Sequence, residues 1–220
     1  MSTSLSLSCH AVLFDLDGVL VDSERVVVRT WNRWAAHHKL EVPDLVRRAH
    51  GRRSIETVRE VAPWLDAEAE DRWLAAAELA DGDGLAALPG ALTLFEAIPT
   101  RHRAVVTSCG RALATFRLEA VGLTVPEVLI AAEDVQQGKP APDGYALAAQ
   151  RLGVAPSECI VMEDTPAGIA AGRAAGATVI ALSTTFPAAE VSHARAVIKS
   201  LSSLATRVEQ GRVRVSIGED

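Results

Sequence analysis

The run AVLFDLDGVLVDSE, residues 11–24, drives an apolar strand straight into two aspartates spaced two apart. A short, unbroken apolar run of this kind reads as a strand covered on both faces. Asp15 and Asp17 follow directly, so their side chains project to one side, about 7 Å apart by strand rise. Gly18 then lets the backbone turn away without a side chain crowding them. A single aspartate after a strand is commonly a turn former or helix cap, which accounts for one of the pair and hardly for both. In open α/β sheets ligands bind beyond the carboxyl ends of the strands, and this pair would sit there.

The rest of the chain keeps to that architecture. Short β-branched runs recur at 103–108, 127–131, 159–163 and 178–183, with helical patterns over 111–121, 142–152 and 166–175 that end near Gly122, Gly153 and Gly176. Strand and helix in alternation predict a Rossmann-like, doubly wound parallel sheet with helices on both faces. Residues 23–86 break the alternation. Val27, Trp31 and Trp34 lie at i, i+4 and i+7, and AEAEDRWLAAAELA is a strong helix former, so this stretch reads as an α-helical insert after the first strand. The tryptophans within it read as core of the insert rather than a ligand stack. The core is then assigned to 1–22 and 87–220, and the tail GRVRVSIG reads as a late edge strand.

Composition excludes several classes. At 220 residues with 49% hydrophobic and 23% charged residues, the chain suits one core plus a small insert. No apolar stretch approaches the ~20 residues of a membrane span, and MSTSLSLSCH lacks the basic start and sustained apolar segment of a secretory leader. Cys9, Cys109 and Cys159 are odd in number and lack metal-ligand spacing, which fits small apolar fillers in a reducing, cytoplasmic protein. A net charge of −6 argues against a nucleic-acid or membrane partner.

Other predicted strand ends add functional groups. Ser108 follows a strand, with Gly110 and a helix start at Arg111 beyond it, offering a hydroxyl and free N–H groups to an anion. Lys139 is set ahead of Pro140, and Glu163 and Asp164 close the fourth strand before a Thr165–Pro166 helix start. Each has an ordinary explanation alone: an N-cap, a solvated lysine, an acidic helix start. Together they converge on one crevice.

In order along the chain, DLDGVLVDSE, the strand-end TS, GKPAPDGY and EDTPAGIAAGRAAG closely resemble the four motifs of the haloacid dehalogenase superfamily, in its phosphatase branch. The insert between the first two motifs resembles the small helical cap of the β-phosphoglucomutase and sugar-phosphatase group. The resemblance implies a Mg²⁺-dependent phosphatase acting on a small phosphorylated metabolite, a sugar or polyol phosphate, and a monomer is expected. Asp15 would be the nucleophile and Asp17 the acid and base. Ser108, Cys109 and Lys139 would hold the transferring phosphoryl group. The metal would be held by Asp15, Asp164 and the backbone carbonyl of Asp17, with Glu163 beside them. Charge agrees, since three ionised carboxylates against Lys139 alone would repel a phosphate dianion until a hard cation joins them.

HGRRS, residues 50–54, resembles a cap segment in which an arginine after glycine grips the substrate; Arg52 matches it, and a solvated helix-terminal arginine is the equal alternative. Arg111 is a second candidate for substrate contact. Two features bear on rival chemistries. The histidine that phosphoglucomutase-like proteins place five residues after the position of Asp22 is Val27 here, which favours hydrolysis over phosphoryl migration. Asp17 stands where true dehalogenases lack an aspartate, which disfavours carbon–halogen cleavage. A receiver-like signalling module has no place for the insert, and a pseudoenzyme that only binds a partner would have lost a chemical residue.

Overall fold

A computed structural model describes residues 5–218. Residues 1–4, the first part of the MSTSLSLSCH stretch weighed above, and residues 219–220 lie outside the described residues. Strand β1 (Ser6–Cys9) turns at His10 into β2 (Ala11–Phe14), and β3 (Val21–Asp22) follows the aspartate loop. Helices α1 (Glu24–His38), α2 (Leu45–Ala49), α3 (Ser54–Val61) and α4 (Ala67–Leu79) come next, and β4 (Ala86–Ala87) brings the chain back. β4 pairs antiparallel with β3, so the two connections to the helical insert run side by side.

From there the elements alternate: α5 (Ala91–Ala97), β5 (Arg103–Val106), α6 (Arg111–Ala120), β6 (Leu129–Ile130), α7 (Asp143–Arg151), β7 (Cys159–Glu163), α8 (Pro166–Ala174) and β8 (Thr178–Leu182). The chain ends with β9 (Ala196–Ile198), β10 (Leu204–Glu209) and β11 (Arg212–Ile217). Six strands form one parallel sheet in the order β6-β5-β2-β7-β8-β9. β2 is central, which is why its four residues are all buried and why it could be read as a continuous apolar run.

Side chains alternate between the faces. Val12, Phe14, Val105, Ile160 and Met162 pack with Leu94 and Phe95 of α5 and Leu118 of α6. Leu13, Ala104, Val106 and Val161 pack with Tyr145 and Ala148 of α7 and Ile169 of α8. The sheet is therefore doubly wound, as its alternation with helices predicted. Gly122, Gly153 and Gly176 all carry the positive φ of helix-ending residues.

The insert has a hydrophobic cluster of its own, built on Trp31, Trp34, Leu45, Val58 and Leu74. The burial of each large apolar side chain there is worth about 1.5–3 kcal/mol. Trp34 also satisfies its N–H on Glu70 Oε2 at 2.8 Å. The helix face differs by one residue from the predicted stripe: Val26, Thr30, Trp31 and Trp34 are buried on α1, and Val27 turns toward a cavity. Trp64 departs from the reading of the tryptophans as core. It follows Pro63 in the connection before α4 and is 68% exposed.

The tail needs a correction of the edge-strand expectation. β11 does form, but as the middle strand of a separate antiparallel sheet, β1-β11-β10, with Val213 and Val215 buried. Gln210 and Gly211, both at positive φ, make the tight hairpin from β10. One edge of the main sheet is β9, three residues long and too short to announce itself, and the other is β6. No helix among the described residues is long and apolar enough to cross a membrane.

Candidate active site

The strand ends of β2, β5 and β7 meet the loop before α7 around a buried ion cluster. Lys139 Nζ donates to Asp15 Oδ1 and to Glu163 Oε1, each at 2.6 Å. Glu163 also accepts from Tyr145 Oη at 3.0 Å, from the N–H groups of Asp164 and Thr165 at 2.8 and 2.9 Å, and from the Thr165 hydroxyl at 3.0 Å. Both its oxygens are thus occupied. Thr165 Oγ1 in turn caps α8 by accepting from Gly168 N–H. Two glycines make room for these carboxylates. A Cβ on Gly168 would lie 1.6 Å from Glu163 Oε1, and one on Gly18, at φ +79°, would lie 1.9 Å from Asp164 Oδ2.

Burial dominates the titration of this cluster. It pushes Asp15 up to about 7, with Lys139 pulling down and Glu163 pushing further up. Asp164 is raised well above the usual carboxylate range by burial and by its neighbours Glu163 and Asp15. For Glu163 burial also acts upward, but Lys139 and the surrounding donors outweigh it and the carboxyl is lowered. Lys139 is raised, since Asp15 and Glu163 more than offset the burial that would discharge it.

One feature of the cluster is unfinished. Asp164 Oδ1 is buried with no hydrogen-bond partner, and Asp15, Glu163 and Asp164 each bring a ligand atom within 4.8 Å of the others. A buried unpaired carboxylate oxygen among excess negative charge is costly, and a hard cation with oxygen ligands would satisfy it. The residues present therefore fit a divalent metal, with Asp15 and Asp164 the groups to hold it and Glu163 already committed to Lys139.

Asp17 is held apart from that cluster. Its Oδ1 accepts from Ser23 Oγ at 2.7 Å and its Oδ2 from Arg117 Nη1 at 2.7 Å. Arg117, 3% exposed on α6, also donates through Nη2 to Glu78 Oε2 of α4 at 2.5 Å. Burial would discharge the guanidinium, but Asp17 and Glu78 outweigh it and raise its pKa. Burial raises Glu78, an effect Arg117 reduces.

Between sheet and insert lies a cavity of about 230 Å³ lined from below by Asp15, Asp17, Ser108 and Asp164 and from above by Val27, Trp31, His50 and Arg52. Ser108 Oγ donates to Gly51 O of the insert at 3.0 Å. Cys109 also lines the space, its thiol pushed up to about 12 mainly by burial, so it stays protonated. Arg52 reaches the cavity, yet its Nη1 is paired with Glu60 at 2.6 Å. Arg111 is not brought in: its guanidinium is tied to Asp134 and to Leu129 O, away from the cavity lining.

Sequence reasoning passed over Thr107, Ser23, Tyr145, His50, Arg117 and Glu78. Arg117 did leave a signal, because it sits four residues after Leu113 and beside Leu118, inside the apolar stripe of its helix.

A parallel sheet with an acidic cluster at its strand ends and a helical insert beside the cavity defines a class of α/β enzymes. Residues 9–176 match the model of the haloacid dehalogenase-like hydrolases, and the chain belongs to that family. It is 39% identical over 206 residues to hexitol phosphatase A of Escherichia coli, covering 90% of this chain and 94% of that one. It is 33% identical over 194 residues to glycerol-1-phosphate phosphohydrolase 2 of Saccharomyces cerevisiae, covering 83% and 78%. Among solved structures, a hydrolase from Pseudomonas syringae superposes with a TM-score of 0.80 at 26% identity, over 87% of this chain and 94% of that one.

Proposed function

We propose that this chain is a Mg²⁺-dependent phosphatase that hydrolyses a small sugar or polyol phosphate through a phosphorylated Asp15. Its family and its phosphatase relatives make it a phosphoric monoester hydrolase. The observation that carries the finer reading is Lys139 bridging Asp15 and Glu163 beside the unpartnered Asp164 Oδ1. No simple structural role calls for three carboxylates buried around one ammonium.

Asp15 attacks phosphorus in line, forming the new P–O bond while the bond to the sugar or polyol oxygen breaks. Asp17 gives a proton to that departing oxygen, then takes one from the water that attacks phosphorus and frees Asp15. Lys139 fixes the Asp15 carboxylate and, with Ser108 and the N–H groups around Cys109, steadies the phosphoryl oxygens, since phosphoryl transfer depends chiefly on positioning and charge. A bound Mg²⁺, held by Asp15, Asp164 and the Asp17 carbonyl, would supply the positive charge that lets a phosphate dianion approach.

The division of labour assigns residues 23–86 as the cap. The insert, with its own core and paired connections, would close over the substrate and exclude water. Val27 on the cavity wall, where the mutase resemblance calls for histidine, supports hydrolysis over phosphoryl migration.

The test is a panel of phosphorylated hexitols, hexoses and glycerol assayed with p-nitrophenyl phosphate, with and without Mg²⁺. The reading expects Mg²⁺-dependent phosphate release, fastest on a polyol or sugar phosphate. Full turnover in excess chelator, or phosphate moving between positions of one sugar, would overturn it.

A further inference from the structure

We infer that Arg117 is a positioning residue for Asp17, and that Glu78 makes this positioning depend on the seating of the helical insert. The inference rests on Asp17 being the acid and base proposed above. It goes beyond that reading by adding two residues that lie in none of the four resembling motifs.

The geometry carries it. Arg117 is 3% exposed and Glu78 8%, and a buried guanidinium persists only where carboxylates and hydrogen bonds compensate its desolvation. Here its two terminal nitrogens divide between carboxylates with different owners. Nη1 holds Asp17 Oδ2 on the core, and Nη2 holds Glu78 Oε2 on α4 of the insert. All three residues line the cavity. Ser23, at the junction with the insert, takes the remaining Asp17 oxygen. The carboxylate of Asp17 is therefore set in place by one donor at the hinge and one donor whose other hand is on the insert.

Structure alone does not ask for this arrangement. The neighbouring stripe positions on α6, Leu113, Ala114 and Leu118, are ordinary core residues. An apolar residue at position 117 with another at 78 would pack as well at less electrostatic cost. What the arginine adds is a fixed direction for the Asp17 carboxylate. A proton-transfer group works within hydrogen-bond reach of one atom, and small displacements cost much of its rate advantage.

The experiment compares p-nitrophenyl phosphate, whose phenolate leaves without a proton, with sorbitol 6-phosphate or whichever alkyl phosphate of the panel turns over fastest. The wild type, Arg117→Met, Arg117→Lys, Glu78→Gln, Asp17→Asn and the Asp17→Asn/Arg117→Met pair are assayed with Mg²⁺, using full-length protein. Arg117→Met is expected to lower kcat/KM on the alkyl phosphate by about 10–100-fold, part of the advantage a general acid supplies, while kcat/KM on the aryl phosphate, which does not include the attack of water on phosphorylated Asp15, changes little. Arg117→Lys should recover part of the loss. Glu78→Gln, which keeps the size of the side chain and serves if Arg117→Met does not fold, should show the same selectivity in smaller degree. On the Asp17→Asn background, Arg117→Met should add no further alkyl-specific loss.

Equal losses in kcat/KM on both substrates from Arg117→Met or Glu78→Gln, or an alkyl-specific loss undiminished on the Asp17→Asn background, would overturn the inference. If Asp17→Asn itself shows no leaving-group selectivity, the acid role of Asp17 falls first and the inference falls with it.

Discussion

The floor and the roof of the cavity are built differently. On the floor, Asp15, Lys139, Glu163 and Asp164 are at most 6% exposed and joined by short bonds from three separate segments of the core. The roof carries partly exposed pairs such as Arg52 with Glu60, and apolar or neutral groups such as Val27, Trp31 and His50. Burial holds the His50 pKa below the ordinary imidazole value, so the roof stays neutral there at physiological pH. A buried network has one arrangement and is costly to disturb. Exposed pairs are worth at most about 1 kcal/mol and exchange partners readily. The contrast suits a fixed chemistry below and an adaptable recognition surface above.

The most severe way to break the floor is Asp15→Asn. It should drop hydrolysis of aryl and alkyl phosphates alike by something on the order of 10⁴–10⁶-fold. Comparable activity on either substrate would remove Asp15 from the chemistry.

Asp17→Asn comes next, sparing kcat/KM for p-nitrophenyl phosphate, which reports only the steps up to loss of the leaving group, and costing about 10²–10⁴-fold in kcat/KM on an alkyl phosphate. Equal losses in kcat/KM would mean that no proton is delivered to the leaving group.

The metal tests the floor in another way. Asp15 and Asp164 have raised folded-state pKa values, so a cation must displace protons to bind, and Mg²⁺ affinity should climb as pH rises through about 7, where Asp15 gives up its proton. The rise in melting temperature on adding Mg²⁺ should grow over the same range. Asp164→Asn should abolish that rise without lowering the metal-free melting temperature, because it replaces a buried carboxyl with one unpartnered oxygen by a neutral amide of the same size. A pH-independent shift, or one that survives Asp164→Asn, would argue against this site.

The mildest change sharpens the roof. Arg52→Ala should raise KM for a sugar or polyol phosphate several-fold, about 1 kcal/mol or somewhat more, and leave p-nitrophenyl phosphate unchanged. A parallel change on both would put Arg52 at the phosphate or in the fold, and no change would make it a partner of Glu60 alone.

The same division decides what could be read from the chain. The floor residues follow runs such as AVLF and CIVME, whose unbroken apolarity marks strands buried on both faces, so the strands and the acids at their ends were legible within a residue or two. Helices α6, α7 and α8 were likewise announced by their polar or proline starts and terminal glycines. β3, β4 and β9 are two or three residues long and exist through tertiary pairing, which no local pattern records. The hairpin of β10 and β11 was half visible, but its partner β1 lies at the other end of the sequence. Roof and hinge residues depend on long-range contacts as well. Arg117 meets Asp17 across 100 positions and Glu78 across 39. An arginine on a helix reads as solvated until its place in the apolar stripe is weighed against that default, and Arg111, which has the more suggestive position, turns out to serve Asp134.

The most direct test of the account is to catch the phosphoryl group on its nucleophile. Enzyme in excess over a sugar or polyol phosphate, with Mg²⁺, is quenched in acid at intervals through one turnover and mapped by peptide mass spectrometry. The account predicts phosphate on the peptide carrying Asp15, appearing before free phosphate and decaying as it is released. It predicts a longer-lived adduct in Asp17→Asn with the aryl substrate, because attack of water then lacks its base. Phosphate released at the full rate with no adduct at any time, or an adduct on another residue, would contradict it.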